Sequence, residues 1–271
     1  MVRDIHGAFE NADTAINADA AAARAFLAGG GLLGAIIARF DWRRTPLGPI
    51  ENWPASIKTT VGLILRSPIP IVTLWGEAGI MIYNDAYSAF AGGRHPQLLG
   101  SEVRKGWPEV ADFNDNVMKV GLAGGTLSYR DQELTLFRSG LPEQVFMNLD
   151  YSPVIDESGR AIGVIAIVVD TTERVKAELR LRDNEARLEF LDALSKATIV
   201  DRDADAVMAV MTRMTGEYLG VAVCGYADMD ADQDGFTIRG DWTAEGSMHI
   251  LGRFRLSAFA SPLSASAPWR N

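Results

Sequence analysis

Residues 161–174 read AIGVIAIVVDTTER: nine apolar or small residues, an acidic residue, two threonines, then charge. An apolar run of this length, rich in Ile and Val and almost without polar alternation, predicts a central, well-covered strand from Ala161 to Val169. From Thr172 to about Ala197 the pattern turns helical and highly charged. A strand therefore passes into a helix within two or three residues. Asp170 and Thr172 suit that junction, because their short polar side chains can bond neighbouring backbone groups and cap a helix start.

Working backwards, Gln144 to Ile155 alternates polar with apolar, and Asp156-Glu157-Ser158-Gly159 has the composition of a hairpin turn. Ser128 to Phe137 alternates in part, which makes three successive antiparallel strands. Phe113 to Leu122 reads as an amphipathic helix with Val117, Val120 and Gly121 on or near its inner face, stopped by Gly124-Gly125. Asp85 to Phe90 is helical and ends at Gly92-Gly93, with one more helical turn from His95-Pro96 to Leu99. Ile69 to Trp75 and Ile80 to Tyr83, joined by the turn Gly76–Gly79, form a hairpin. This order predicts an α+β domain: a five-stranded antiparallel sheet with flanking helices. Ahead of it lie a short amphipathic segment, Leu32 to Phe40, and the obligatory loop Thr45-Pro46-Leu47-Gly48-Pro49. A helix follows, with Asn52 as N-cap, Pro54 just inside, and a buried stripe of Ile57, Val61, Ile64 and Leu65.

Beyond the junction, Leu181 and Leu188 are seven apart, as are Asn184 and Leu191. That is a/d spacing over little more than two heptads, so these four residues are candidates for a dimer seam. The competing reading is a solvated helix laced with i to i+4 ion pairs. Val207, Val210, Met211, Met214 and Tyr218 mark a further amphipathic helix. Val221 to Ala227 and Phe236 to Trp242 follow as paired strands around the turn Asp228 to Gly235. From Ser257 onward no element is evident.

The chain has 271 residues, 48% of them hydrophobic and 23% charged, with a net charge of −9. An acidic surface opposes nucleic-acid binding and docking on anionic lipid. A single cysteine, Cys224, excludes an intrachain disulfide or thiolate cluster and reads as a small buried hydrophobe. No apolar run reaches the roughly 20 residues of a membrane helix, and the amino terminus lacks the pattern of a signal peptide, which together point to the cytoplasm.

Particular residues add a resemblance. Trp75-Gly76 and Tyr83-Asn84-Asp85-Ala86-Tyr87 resemble the first hairpin and helix start of PAS domains. Tyr151-Ser152-Pro153-Val154, the turn at 156–159 and Gly163-Val164 resemble the last two PAS strands, and Asp170-Thr171-Thr172-Glu173-Arg174 is similar to the motif that closes a PAS core and starts its signalling helix. Upstream, Phe40-Asp41-Trp42, the loop at 45–49 and Trp53-Pro54 resemble a leader found before PAS domains of soluble histidine kinases. Residues 199–256 look like the beginning of a GAF domain, much of whose sheet would be missing. The expected organisation is an amino-terminal flexible or helical extension (1–31), a helical leader (32–66), a PAS domain (67–172), a helical signalling linker with coiled-coil character (173–198) and an incomplete GAF-like segment with an irregular tail (199–271).

The resemblance implies a sensory input module of a two-component, histidine-kinase-type protein. Such a module would be a homodimer acting on a downstream kinase or response regulator, with a small-molecule ligand as a further expectation. The alternatives are a ligand-free dimerisation or protein-interaction module, and a haem-dependent gas or redox sensor. No phosphoacceptor histidine helix, phosphate-binding loop or Ser/His/Asp set is present, so no catalytic residue is assigned. Residues that could face a PAS cavity are Tyr83, Tyr87, Phe90, Trp107, Phe113, Tyr129, Phe146 and Asn148, either as ligand contacts or simply as core. The cofactor stays open. Flavin photochemistry of the LOV kind needs a cysteine that positions 84–107 lack, and haem needs an axial histidine that the helix at 113–122 lacks. His95 reads as a capping or surface residue, and His6 and His249 fall outside the PAS core. Asp230, Asp232, Asp234 and Gly235 copy the opening of an EF-hand loop, but Ile238 and Asp241 at its ninth and twelfth positions are poor ligands, so an acidic hairpin turn is expected and no metal site.

Overall fold

The computed structural model describes residues 23–199 and 203–258, so most of the expected amino-terminal extension and of the tail lies outside the described residues. The chain divides into two compact units, Met1–Ala177 and Glu178–Asn271.

In the first unit, helices α1 (Gly31–Arg39) and α2 (Ala55–Ile64) precede strands β1 (Ile71–Trp75) and β2 (Ile80–Tyr83). Helices α3 (Asp85–Ala91), α4 (Val103–Gly106) and α5 (Ala111–Leu122) follow, then β3 (Leu127–Leu136), β4 (Glu143–Ile155) and β5 (Ala161–Asp170). The five strands form one antiparallel sheet in the order β2-β1-β5-β4-β3. The apolar run that decides the fold is thus the middle strand, as its sequence requires.

Helix α5 covers one face of the sheet. Its Gly121 lies so near β5 that a Cβ there would come 2.3 Å from Val164 Cγ2, so the missing side chain sets the helix–sheet distance. The leader covers the opposite face of β1 and β2, which is why every residue of those two strands is buried, Thr73 included. Its anchor is aromatic: the Trp42 and Trp53 rings meet edge to face at 4.9 Å. Their indole N–H groups donate to Ile37 O (2.8 Å) and Gly48 O (3.1 Å), so the rings enter the core with no unpaired donor.

Two polar residues stitch the leader to the domain. The Asp85 carboxylate accepts from the N–H groups of Leu32 (3.0 Å) and Leu33 (2.7 Å), capping α1 from 52 residues away. Gly31, at φ +65°, is the residue that permits this, since a Cβ there would fall 2.0 Å from Asp85 Oδ2. Asn84 is wholly buried and fully bonded. Its Oδ1 accepts from Ile71 N and Tyr87 N, and its Nδ2 donates to Ile64, Ser67 and Ile69 carbonyls. One side chain therefore caps α3 and closes the connection between α2 and β1.

The sequence expectations need two corrections here. Asn52 lies in a 3-10 turn, Ile50–Asn52, and does not cap α2; the extended Pro54 occupies the cap position and offers no side-chain acceptor. Residues His95–Leu99 form hydrogen-bonded turns, not a helical segment.

Helix α6 (Thr172–Ile199) runs directly out of β5. The second unit holds its later part, α7 (Ala204–Leu219) and a three-stranded antiparallel sheet of β6 (Val223–Met229), β7 (Gly235–Thr243) and β8 (Gly252–Arg255), in that order. Strand β8 was not expected from sequence; at four residues with a glycine and two arginines it carries little strand signal. Of the expected stripe of α7, Val207, Val210, Met211 and Met214 are half-buried, and Tyr218 is corrected. Thr212 and Gly216 are its buried residues, with Gly216 pressed on the Trp242 ring, whereas Tyr218 is exposed and stacks on Phe190 at 4.1 Å. Cys224 is only half-buried. The aspartates of the β6–β7 turn are taken by protein donors, Asp232 by the N–H groups of Asp234 and Gly235, Asp230 by Arg253 and Asp234 by Ser257, and Asp241 within β7 is bonded to His249 and Ile250. Among the described residues no helix is long and apolar enough to cross a membrane.

Candidate functional site

Two places in the first unit can carry function: the space between sheet and helices, and the point where β5 becomes α6.

The interior space is walled by Tyr87 and Phe90 of α3, Trp107, Phe113 and Asn114 of α5, and the inward side chains of β3, β4 and β5. Its volume is about 50 Å³. That is room for a water or two, against the roughly 300–1,000 Å³ of small-molecule sites. Among the residues that line it there is neither a cysteine nor a histidine. Trp107 Nε1 donates to the Tyr87 hydroxyl at 3.1 Å, and Phe113, Tyr129 and Tyr151 form an aromatic trio with centroids 5.0–6.3 Å apart. Burial pushes the phenols of Tyr83, Tyr87 and Tyr151 far above their ordinary range, so they stay protonated.

Of the expected cavity residues, Tyr87, Phe90, Trp107 and Phe113 line this space and Tyr129 joins its edge through Phe113. Tyr83 packs behind Tyr87, and its hydroxyl lies 3.0 Å from His95 Nδ1. His95 is thus a half-buried partner of a core tyrosine, not a capping or surface residue. Phe146 and Asn148 do not face the interior. Along β4, Val145, Met147, Leu149 and Tyr151 are buried, so the residues between them belong to the outer face. The alternation that gave β4 away as a strand also held this answer.

At the exit of β5 the backbone and side chains of three consecutive residues are each fixed. Thr171 N–H donates to Phe146 O at 2.8 Å, and Phe146 N–H donates to Thr172 Oγ1 at 3.0 Å. Asp170 Oδ1 accepts from Thr172 N at 3.0 Å, and Asp170 Oδ2 pairs with Arg138 at 3.2 Å. Burial pushes the Asp170 carboxyl up, but the Thr172 bonds and the Arg138 charge outweigh it and hold it below the ordinary carboxylate range. Arg138 also binds Glu143 at 2.9 Å and lies over the Phe90 ring, 5.3 Å from its centroid. One guanidinium therefore touches the cavity wall and Asp170, the last residue of β5, whose carboxylate bonds the first residue of α6. An open groove of about 870 Å³ runs along this junction. Sequence reasoning found Asp170 and Thr172 but missed Arg138, because the hairpin end that brings it there is a tertiary event.

The expected seam residues Leu181, Asn184, Leu188 and Leu191 are all exposed on α6. Their spacing puts them along one side of the helix.

No curated protein matches the chain. Among solved structures it is similar to the PAS domain of BvgS from Bordetella pertussis, at 24% identity and a TM-score of 0.37, over 48% of this chain and 96% of that one. It is similar to a sensory box sensor histidine kinase from Vibrio cholerae at 17% identity and TM-score 0.30, over 42% of this chain and 88% of that one. The LOV domain of a blue-light activated histidine kinase from Erythrobacter litoralis is similar at 14% identity and TM-score 0.31, over 40% and 99% of the two chains. The sequence matches the PAS fold family over residues 66–176. That span contains all five strands of the first sheet and the junction at Asp170, and residues 66–176 form a PAS domain.

Proposed function

We propose that this chain is a cytoplasmic sensory input module of a two-component signalling protein, in which the PAS domain acts on a dimeric output through α6. The carrying observation is the junction: the central strand of the sheet passes into a 28-residue helix with no intervening loop, Asp170 is tied to Arg138 of the β3–β4 loop, and Thr171 and Thr172 are tied to Phe146 of β4. A displacement of the sheet is then a displacement of the helix. The test is to fuse residues 1–198 to the catalytic half of a histidine kinase and change Asp170 to Ala. Lost or locked autophosphorylation with a near-native melting temperature supports the relay; lower stability with unchanged, still-regulated phosphorylation refutes it and leaves an ordinary helix cap.

The dimer rests on the exposed seam. In such a seam Leu188→Glu buries an unpaired carboxylate and is expected to convert dimer to monomer in sedimentation. An unchanged dimer removes α6 from the interface. Helix α7 with β6–β8 is read as GAF-like, on the order of a helix followed by antiparallel strands.

A second reading, a protein-interaction module with no small-molecule ligand, is favoured by the 50 Å³ interior. A native mass spectrum of the purified chain separates the two: a bound small mass supports ligand sensing, and a bare dimer supports the interaction module.

A further inference from the structure

We infer that Asp131, propped by Asn148, is a second positioning residue for the output helix, holding the first turn of α6 independently of the Arg138–Asp170 pair. The inference rests on the reading of α6 as the output element.

Asp131 sits in β3 where the register with β4 shifts, between Tyr129 and Gln132, and its φ is +48°. An L-residue in that region is strained, and Asp and Asn tolerate it best because their side chains bond locally. Here the carboxylate is not used locally. It accepts from Thr171 Oγ1 at 2.8 Å, 40 residues along the chain, and pairs with the Arg174 guanidinium. The Arg174 and Thr171 bonds hold the Asp131 carboxyl below its ordinary range, so it is ionised wherever the protein is folded near neutrality. Its own N–H donates to Asn148 Oδ1 at 2.9 Å, which fixes the bulge from β4. The outward-facing Asn148, a poor cavity residue, thereby has a role: it presents Asp131 to the helix.

The two holders differ in what stands behind them. Arg138 touches Phe90 of the cavity wall, so its grip on Asp170 can follow events inside the domain. Asp131 is backed by the sheet alone. The first is a responsive attachment and the second a fixed one, and a helix held at one fixed and one responsive point pivots when the second moves.

The experiment uses the full chain, reading hydrogen exchange of the Thr171 and Val175 amides alongside the melting temperature. Asp131→Gly keeps a backbone suited to the bulge, relieves the strain and deletes both side-chain contacts. Asp131→Asn keeps the left-handed tolerance and an acceptor but removes the charge. The expected result is exchange about fivefold faster in Asp131→Gly, with melting within a few degrees of the parent. Asp131→Asn and Arg174→Gln each break the Asp131–Arg174 pair, so the effect of the double variant should fall short of the sum of the two single effects. Unchanged exchange in Asp131→Gly, or additive effects of the two ion-pair variants, overturns the inference. Should Asp131→Gly fail to fold, the ion-pair cycle decides. If exchange accelerates as expected but a fused kinase is indifferent to every junction variant, the input-module reading falls while the latch stands.

Discussion

The two units of this chain differ most in how they bury apolar surface. In the first, the described residues form one continuous core that runs from Leu27, just ahead of α1, to Val168 near the end of β5. In the second, Ile238 is the buried hydrophobic residue among those described, at 8% exposure. The tryptophans make the same point: Trp75 is 1% exposed, whereas Trp242 is half-buried and caps a glycine on the single helix packed there. A three-stranded sheet with one helix has one covered face, and a five-stranded sheet with helices and a leader has most of two. Thickness of the core, more than strand propensity, separates them.

The comparison breaks if the leader is dispensable. Removing residues 1–65 strips Leu33, Ile37, Trp42, Trp53, Ile57 and Val61 from the core and bares Ile71, Trp75, Ile80 and Ile82. At roughly 1.5–3 kcal/mol per buried side chain, the loss is on the order of 10 kcal/mol or more, as large as the net stability of a typical domain. The truncated chain is expected to show no cooperative melt in calorimetry. A retained transition would mean that the residues matched by the PAS family stand alone.

A pair of glycines sharpens it. A Cβ on Gly121 would meet Val164 Cγ2 at 2.3 Å, and one on Gly216 would meet Trp242 Cε3 at 2.2 Å. The clashes are alike, but Val164 is fully buried between elements that cannot retreat, whereas the Trp242 ring borders solvent. Gly121→Ala is expected to cost about 2–3 kcal/mol and Gly216→Ala about 1 kcal/mol or less, measured by denaturant unfolding of each unit's transition. Equal costs would show that the second unit is packed as tightly as the first.

The smallest expected effect is electrostatic. The Asp170 carboxyl is depressed in the folded protein, so its contribution to stability is complete above the unfolded carboxylate pKa of about 4 and is lost as pH falls through the lower folded value. Asp170→Asn should therefore melt lower than the parent at pH 7 and converge with it once the pH has fallen through the depressed folded value. Parallel melting curves at all pH values would deny Asp170 that role.

Much of the first unit was legible because its strands announce themselves: the apolar run at 161–169 had to be central, and the polar turns at 76–79 and 156–159 fixed the hairpins. The errors came where a side chain's meaning depends on something distant in sequence. Asn84 could be quoted as part of a motif, but its five bonds to α2, β1 and α3 exist only once those elements meet. His95 looked like a turn residue until Tyr83 was placed beneath it. Asp131 and Arg138 carry no local signal at all, since one is a charged residue in a strand and the other a charged residue in a hairpin loop. Phe146 and Asn148 were avoidable errors, because a period of two leaves no freedom about which residues share a face.

The small interior has a consequence for any molecule this domain binds there. A ligand of ordinary size must find the minority of molecules in which Phe90, Trp107 and Phe113 have already moved apart, and its measured affinity is its intrinsic affinity scaled by that fraction. Binding strength would then vary with substitutions that loosen the wall without touching the ligand. Since Phe90 also carries Arg138, the molecules open to a ligand would be those whose grip on Asp170 has changed, and occupancy and output would be two readings of one population.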